Sequence, residues 1–551
     1  MSFLGKKWIV RNTTAEKSTF EKILSNRGVA DVNEGLTFHD PFLLDDMQKV
    51  VDRIKLAVGQ KERVIVFGDY DVDGISGATI VINILKKLGA IVSYRLPHRV
   101  NDGYGLSEKF IDEFIAKDVN LVITVDCGIS SNKEISKAKA AGIDVIITDH
   151  HTVPEDLSKD AYAILHPRLK DTKYPFPDLT GAGVALKLAQ ALLQNHEDKQ
   201  FIEDLIALAS LGTVADLGQL KGENRLIVKE GLLNLLSTRS SGLKKLIELA
   251  GMKEQNFVDS YTIGYRIAPR INAAGRIGDP YLALSLLLQN EESEKVNYLG
   301  QQLEDLNLQR QDMTEKAVAQ AEAHFAGKEK IPAILIAESA DWHVGILGLV
   351  AAKLVDKYNR PVIIMQDFGD VLVASARGPK FFHITEAITA CGKYLVSFGG
   401  HAQAAGFNIK KENLVEFKKA LEAYSEEKLQ SLDLCSVLEI DCELAHDDVS
   451  FGMLDQLKTL EPFGVGNEKP TFLLSNLEPF FINQVGKENT HLKFTVKIQD
   501  KEVQVIAFNM GHFADEIRSH KKVDFVCNLD RNVWNNKEYI QFRAIDIRGS
   551  K

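Results

Sequence analysis

Three short apolar runs, each ending in an aspartate and each followed by a polar turn, constrain this chain more than any other feature. Residues 63–90, RVIVFGDYDVDGISGATIVINILKKLGA, open with a β-rich run, turn polar at Gly68 and resume with apolar positions at helical spacing. The pattern returns in NLVITVDCGIS, ahead of a helix predicted from about Asn132 to Ala141, and again in GIDVIITDHH. Runs this short, and apolar on both faces, suit strands buried on both sides of a parallel sheet. Strands alternating with helices place the chain in the α/β class, where ligand-binding residues gather at the carboxyl ends of the strands.

Those ends carry Asp71 and Asp73 in GDYDVDG, Asp126 in TVDCG, and Asp149, His150 and His151 in TDHH. Asp216, in ALASLGTVADLG, is a fourth acidic position, delivered by a helix of small residues. Asp71 and Asp73 stand two apart, so in an extended turn their side chains point to the same side. Taken singly, an aspartate at a strand-to-helix turn is more often a helix N-cap, and paired histidines are often satisfied surface groups. Taken together the acids tell against that. Converging carboxylates repel, and protons move onto some of them unless a cation lies between. Carboxylates with one imidazole suit Mn²⁺ or Mg²⁺ better than a thiolate-seeking ion, and a bridging carboxylate could hold two such ions about 4 Å apart.

The remaining composition sets bounds. At 551 residues the chain is too long for one core and suggests about three or four units. Its start, MSFLGKKWIVRN, lacks the apolar core of a signal peptide, and no run approaches the roughly 18 apolar residues of a membrane span, so a cytoplasmic protein without membrane contact is expected. Five scattered cysteines with no C-x-x-C pair indicate neither a disulfide framework nor a zinc knuckle. A formal charge of -10 argues against a chain that coats nucleic acid throughout, yet it permits a local basic groove.

GDYDVDG, VDCG, TDHH and GTVADL follow one another as the signatures of the DHH phosphoesterase superfamily do, and the chain resembles that superfamily, in particular its single-strand-specific 5′ to 3′ exonucleases. The likeness continues through LTGAGVALKLAQAL (179–192), RIAPRINAAGRIGDP (266–280), WHVGILGLVAAKL (342–354), SARG (375–378) and GGHAQAAGF (399–407). It implies Asp71, Asp73, Asp126, His150 and Asp216 as ligands of two divalent cations, Mn²⁺ or Mg²⁺, with Asp126 as the bridge. It also implies that His151 faces the scissile phosphate and that Asp149 orients its neighbours from behind. Some relatives carry a further ligand histidine four residues before the first of these aspartates; Phe67 stands there in this chain. Asp69 reads as a turn-former, with substitution for that ligand as the alternative.

The resemblance further implies an architecture: a segment 1–45 packing on a parallel-sheet DHH domain (46–290), a long connecting helix (291–326), a second, smaller α/β domain (327–428) and a β-barrel of the OB fold (429–551). The residues themselves support parts of it. Residues 291–326 contain no Pro and one Gly, as a single long helix requires. From about Leu438 alternating strands follow one another, with Phe494, Lys497, Arg531, Trp534, Tyr539 and Phe542 interleaved as single-strand binding requires, although most such aromatics belong to cores.

Arg276 in NAAGRIG and Arg377 in SARG are candidates for phosphate recognition, because the guanidinium fork binds two phosphate oxygens and stays charged. In the family such residues line a pocket for a terminal 5′ phosphate, with Asn272, Ser375 and His401 assisting. Arg99 is a further candidate, for which a surface ion pair is an equally good account. The expected activity is hydrolysis of single-stranded DNA from a 5′ end, in repair and recombination, by a monomer, with a single-strand-binding protein and a repair helicase as partners by analogy. The rivals are a phosphodiesterase of short oligonucleotides, cyclic dinucleotides or pyrophosphate, and a catalytically inactive DNA-binding scaffold.

Overall fold

The computed structural model describes residues 2–550 apart from 15–16, 29–31, 33–34, 100, 195–196, 253–256, 326–330 and 536. They divide into two compact units, one of Met1–Gly35, Asp433–Phe463 and Asn467–Lys551, the other of Leu36–Leu432 and Gly464–Gly466.

The larger unit contains a five-stranded sheet ordered Ile91–Arg95, Arg63–Gly68, Leu121–Val125, Asp144–Thr148 and Ala163–Leu165, with every pairing parallel. Alternate residues along its strands enter two separate cores, which is why the runs are apolar throughout. Val64, Val66, Ile123 and Ile146 pack with the helices Val72–Lys87, Gly181–Leu192 and Lys199–Ala215. Ile65, Phe67, Val122 and Ile147 face Phe110 and Phe114 of Glu108–Ala116 and Ile135 of Asn132–Ala140. Phe67, where some relatives have a ligand, is therefore a core residue, its ring 5.1 Å from that of Phe110.

A 30-residue helix, Glu294–Ala323, follows. Val296, Leu299 and Leu303 belong to the first core, whereas Ala317 and Ala321 belong to that of a second five-stranded sheet, so one helix of about 45 Å joins the two. The end expected for it, residue 326, lies outside the described residues, as do 327–330. The second sheet is mixed, ordered Leu395–His401, Ala404–Lys410, Val371–Arg377, Val362–Asp367 and Leu335–Ser339, with only the last two strands parallel to each other.

The smaller unit holds an eight-stranded sheet built mainly from the C-terminal residues. Its content includes part of the N-terminal segment. Lys7–Asn12 pairs in parallel with Val437–Glu443, and Ile23 is wholly buried in this unit's core, so these residues belong to the smaller unit. Leu44 and Met47 enter the core of the first α/β sheet. The interleaved aromatics also separate by face. Phe494 and Phe542 pack around Phe525, with ring centroids 6.0 and 5.7 Å away, while Trp534 and Tyr539 are exposed on the hairpin of Val523–Trp534 and Lys537–Gly549. Arg531 pairs with Asp455 and Glu538, and Lys497 is exposed.

Candidate metal centre

Each acid reaches the centre because of where its element starts or stops. Asp71 caps the helix Val72–Lys87, accepting from the Gly74 N–H at 3.0 Å, and Asp73 lies in the first turn. Asp126 directly follows Leu121–Val125 with φ 60°, a left-handed conformation that bends the chain out of the strand while its N–H still donates to Thr148 O (2.9 Å). His150 and His151 come after Asp144–Thr148, and Asp216 is the C-cap of Lys199–Ala215. Two glycines let helices come this close. A Cβ on Gly181 would stand 2.6 Å from Asp126 Cβ, and one on Gly212 would stand 2.4 Å from Asp73 Oδ1.

The carboxylates and imidazoles fall into overlapping groups whose ligand atoms lie within 4.8 Å of one another: Asp73, His150 and Asp216; Asp69, Asp71 and Asp126; and Asp126, His150 and His151. Asp126 Oδ1 is 3.1 Å from His150 Nε2, so it stands between the first two groups. The membership of Asp69 departs from the turn-former reading. Its side chain is 3 % exposed, and its Oδ1 has no hydrogen-bond partner among the described residues. The same-side argument applies to a different pair from the one expected. The helix begins between Asp71 and Asp73, which sends Asp73 to the other group, whereas Asp69 and Asp71 precede it and stay together.

The electrostatics are those of a cation site. Burial, then the charges of Asp73, Asp71 and Asp69, hold the Asp126 carboxyl well above its ordinary value. Burial and Asp71 do the same to Asp69. Asp73 is pushed up to about 7 by burial and Asp71, although the N–H groups of Gly181 (2.6 Å) and Ala182 (3.0 Å) donate to it. Asp216 keeps 36 % of its side chain exposed, yet the protein around it and the charges of Asp73 and Asp71 push it up to about 8. His150 is driven down to about 3, by burial first and then by His151, so it is a neutral imidazole with Nε2 aimed at the acids and without a hydrogen-bond partner among the described residues. Buried unpartnered acceptors and a neutral imidazole, with Asp126 shared between two groups, fit a pair of hard divalent cations.

His151 is held differently. Burial disfavours its charge, but Asp149, Asp216 and Asp69 outweigh that and raise it to about 9. Its Nδ1–H donates to Asp149 Oδ1 at 2.8 Å. Asp149 is wholly buried and also accepts from the N–H groups of His150 (2.7 Å), His151 (3.1 Å) and Ile129 (3.0 Å). Burial would raise its carboxyl; those donors overcome it and leave Asp149 below its ordinary value. Tyr104, not singled out in the sequence, donates to Asp126 O (3.2 Å) with its Oη 3.3 Å from His151 Nε2.

Beside the acids stands a cluster of arginines. Arg276 donates to Gly345 O at 3.3 Å; burial, then the charges of Arg99 and Arg310, push it down to about 9, and Arg377 adds to this. Arg377 donates to Ser375 Oγ (3.2 Å) and Ala376 O (2.8 Å), and is lowered by burial and by Arg99. Arg99 lies over the Tyr70 ring at 4.3 Å, in Coulombic reach of both other arginines and of Asp69. Asn272 is half-buried one turn before Arg276 on the helix Ala268–Ile277. His401 ends the edge strand Leu395–His401 and lines a cavity of about 350 Å³ together with His150, His151, Asp216 and Arg168. Arg168, which no motif announced, donates to Pro177 O (2.9 Å) and to Asp178 (3.2 Å), so its guanidinium is held at that cavity.

Three family models match the chain: the DHH family, N-terminal domain, over residues 63–213; the DHHA1 domain over 331–427; and the RecJ OB domain over 440–546. The single-stranded-DNA-specific exonuclease RecJ of Bacillus subtilis (strain 168) is 35 % identical over 516 residues, which are 93 % of this chain and 65 % of that protein, so the chain spans just under two thirds of this relative. RecJ of Dickeya dadantii (strain 3937) is 30 % identical over 554 residues, 94 % of each chain. The crystal structure of RecJ in complex with Mn²⁺ from Thermus thermophilus superposes with a TM-score of 0.84 at 27 % identity, covering 99 % of this chain and 80 % of that one.

Proposed function

The chain belongs to the RecJ family of DHH proteins, and from that premise we propose that it is a metal-dependent exonuclease that hydrolyses single-stranded DNA from a 5′ end, in DNA repair and recombination. The observation that carries this reading is the juxtaposition, within one unit, of the shared-aspartate cluster and the half-buried arginines: Asp71 belongs to the first and acts on Arg276 in the second.

Asp73, His150 and Asp216 would hold one cation, Asp69 and Asp71 the other, with Asp126 common to both. Bound there, Mn²⁺ or Mg²⁺ would supply positive charge to the phosphate and make a bound water acidic enough to give up a proton to solvent and attack as hydroxide. The chain's own groups do the rest. His151, fixed by Asp149, faces a non-bridging phosphate oxygen and, in its protonated form, donates a hydrogen bond to it as charge grows there. Arg276, Arg377 and Arg99, with Asn272, Ser375 and His401, receive the terminal 5′ phosphate and set the direction of digestion. The OB domain holds the incoming strand through exposed aromatics such as Trp534 and Tyr539 and through basic side chains, in a salt-dependent way.

The domain limits proposed are 46–290 for the DHH domain, 291–326 for the connecting helix, 327–428 for the second α/β domain and 429–551 for the OB domain. No described helix is long and apolar enough to cross a membrane; a monomer in the cytoplasm, served by a single-strand-binding protein and a repair helicase, completes the reading. Digestion of single- and double-stranded oligonucleotides labelled at either end, with and without Mn²⁺, tests it. Loss of nucleotides from the 5′ end of the single strand alone, only with metal, is expected. Cleavage of dinucleotides with long strands left intact would favour the short-substrate phosphodiesterase instead.

A further inference from the structure

Leu217, the residue after Asp216, combines two features that the fold gains nothing from. The helix Lys199–Ala215 closes in a Schellman arrangement: the Leu217 N–H donates to Val214 O (3.2 Å) and the Gly218 N–H to Thr213 O (3.0 Å). The first of these positions is left-handed, with φ 58° at Leu217, where glycine or asparagine is the ordinary occupant and a branched side chain is disfavoured. Glycine comes one residue later, for a different reason: a Cβ on Gly218 would meet Thr180 Cγ2 at 2.8 Å. The Leu217 side chain is also 68 % exposed, whereas Val214 and Ala215 just before it pack on the core. What it does touch is the cavity, whose wall it shares with His150, His151, Asp216 and His401.

We infer that Leu217 is a specificity-determining contact for a nucleobase, a wedge against which the base of a nucleotide next to the scissile phosphate packs. The strained turn sets an apolar side chain in the wall of the cavity that His150, His151 and Asp216 also line, and an apolar wedge meets the face of an unstacked base. In a duplex the inner faces of the first bases are covered by stacking, so a contact made between the first and second bases selects single strands. This deepens the exonuclease reading and rests on it.

The test compares wild type with Leu217→Gly and Leu217→Asn on 5′-phosphorylated single strands carrying an abasic residue at each of the first positions in turn. Glycine and asparagine suit φ 58°, so both variants fold at least as stably as wild type and bind Mn²⁺ with the same affinity, which separates the effect from any displacement of Asp216. On intact strands kcat/KM is expected to fall about tenfold, as for loss of a base-packing side chain. With an abasic residue at one particular position, wild type and variants become equal; Leu217→Met retains wild-type rates throughout. Equal rates for wild type and Leu217→Gly on intact strands overturn the role of Leu217 alone, and so does a loss that no abasic position abolishes. Failure of wild type itself to digest the intact strand overturns the exonuclease reading, and with it this one.

Discussion

Gly212→Ala places a methyl group in the tightest contact of the metal centre. The new Cβ would lie 2.4 Å from Asp73 Oδ1, 2.6 Å from Ala182 Cβ and 3.2 Å from Asp73 Cα, against ordinary separations of about 3.5–4.0 Å. Neither neighbour can yield cheaply. The Asp73 carboxylate is held by the N–H groups of Gly181 and Ala182, and the helices that carry it and Ala182 are fixed in the first sheet's core. A shift of about 1 Å must therefore fall on the helices or on the carboxylate. Overpacking of this kind costs about 1–3 kcal/mol, and in a unit of this size each kcal/mol lowers Tm by about 1 °C. A misplacement of about 1 Å at a reacting centre costs about 10²-fold in rate. Thermal unfolding with and without Mn²⁺, set beside single-strand digestion, reads both. The variant should lose a few degrees without metal, most of the additional stability that Mn²⁺ confers, and about 10² in kcat. Wild-type Mn²⁺ affinity and rate in Gly212→Ala would refute this packing argument.

Asp126→Asn should raise Tm in EDTA and lower the gain on adding Mn²⁺, because burial and four neighbouring acids disfavour the ionised Asp126 unless a cation is bound; a fall in EDTA would count against that crowding. Lys187→Met breaks a 2.7 Å ion pair with Glu223 in which both side chains are wholly buried, and should destabilise the larger unit by about 3–5 kcal/mol in denaturant titration, with partial recovery when Glu223→Gln is added. Arg276→Ala should slow digestion of 5′-phosphorylated strands by about 10- to 100-fold, the worth of one or two charged hydrogen bonds, while hardly changing 5′-hydroxyl strands; equal slowing of both would place Arg276 elsewhere in the path.

The parallel sheet was legible because burial on both faces writes itself into the sequence as unbroken apolar runs, and most acids of the centre were legible because they stand just past such a run or, for Asp216, at the end of a helix of small residues. Asp69 follows such a run too, yet its role was not legible. Whether an aspartate before a helix turns the chain or faces a ligand depends on the residue at which the helix begins, and the helix starts one residue after Asp71. Asp71 itself is both an N-cap and a member of the cluster, so the two readings of such a residue do not compete. The N-terminal strand eluded sequence reasoning for another reason: its parallel partner, Val437–Glu443, is more than 400 residues away, and no local periodicity records such a pairing. In the OB domain, alternation showed that Phe494 and Phe542 on one side, and Trp534 and Tyr539 on the other, belong to strands, but only packing shows which face is covered. Arg168 carries no positional signal at all, since a cation in a loop becomes part of a pocket only through what the fold sets around it.

Anomalous diffraction at the manganese edge, from crystals of the full chain grown with Mn²⁺, is the most direct measurement. Two peaks are predicted, one touching Asp73, His150 and Asp216 and one touching Asp69 and Asp71, with a carboxylate oxygen of Asp126 in contact with both. A single peak away from Asp126, or no peak in the cluster at all, would contradict the account.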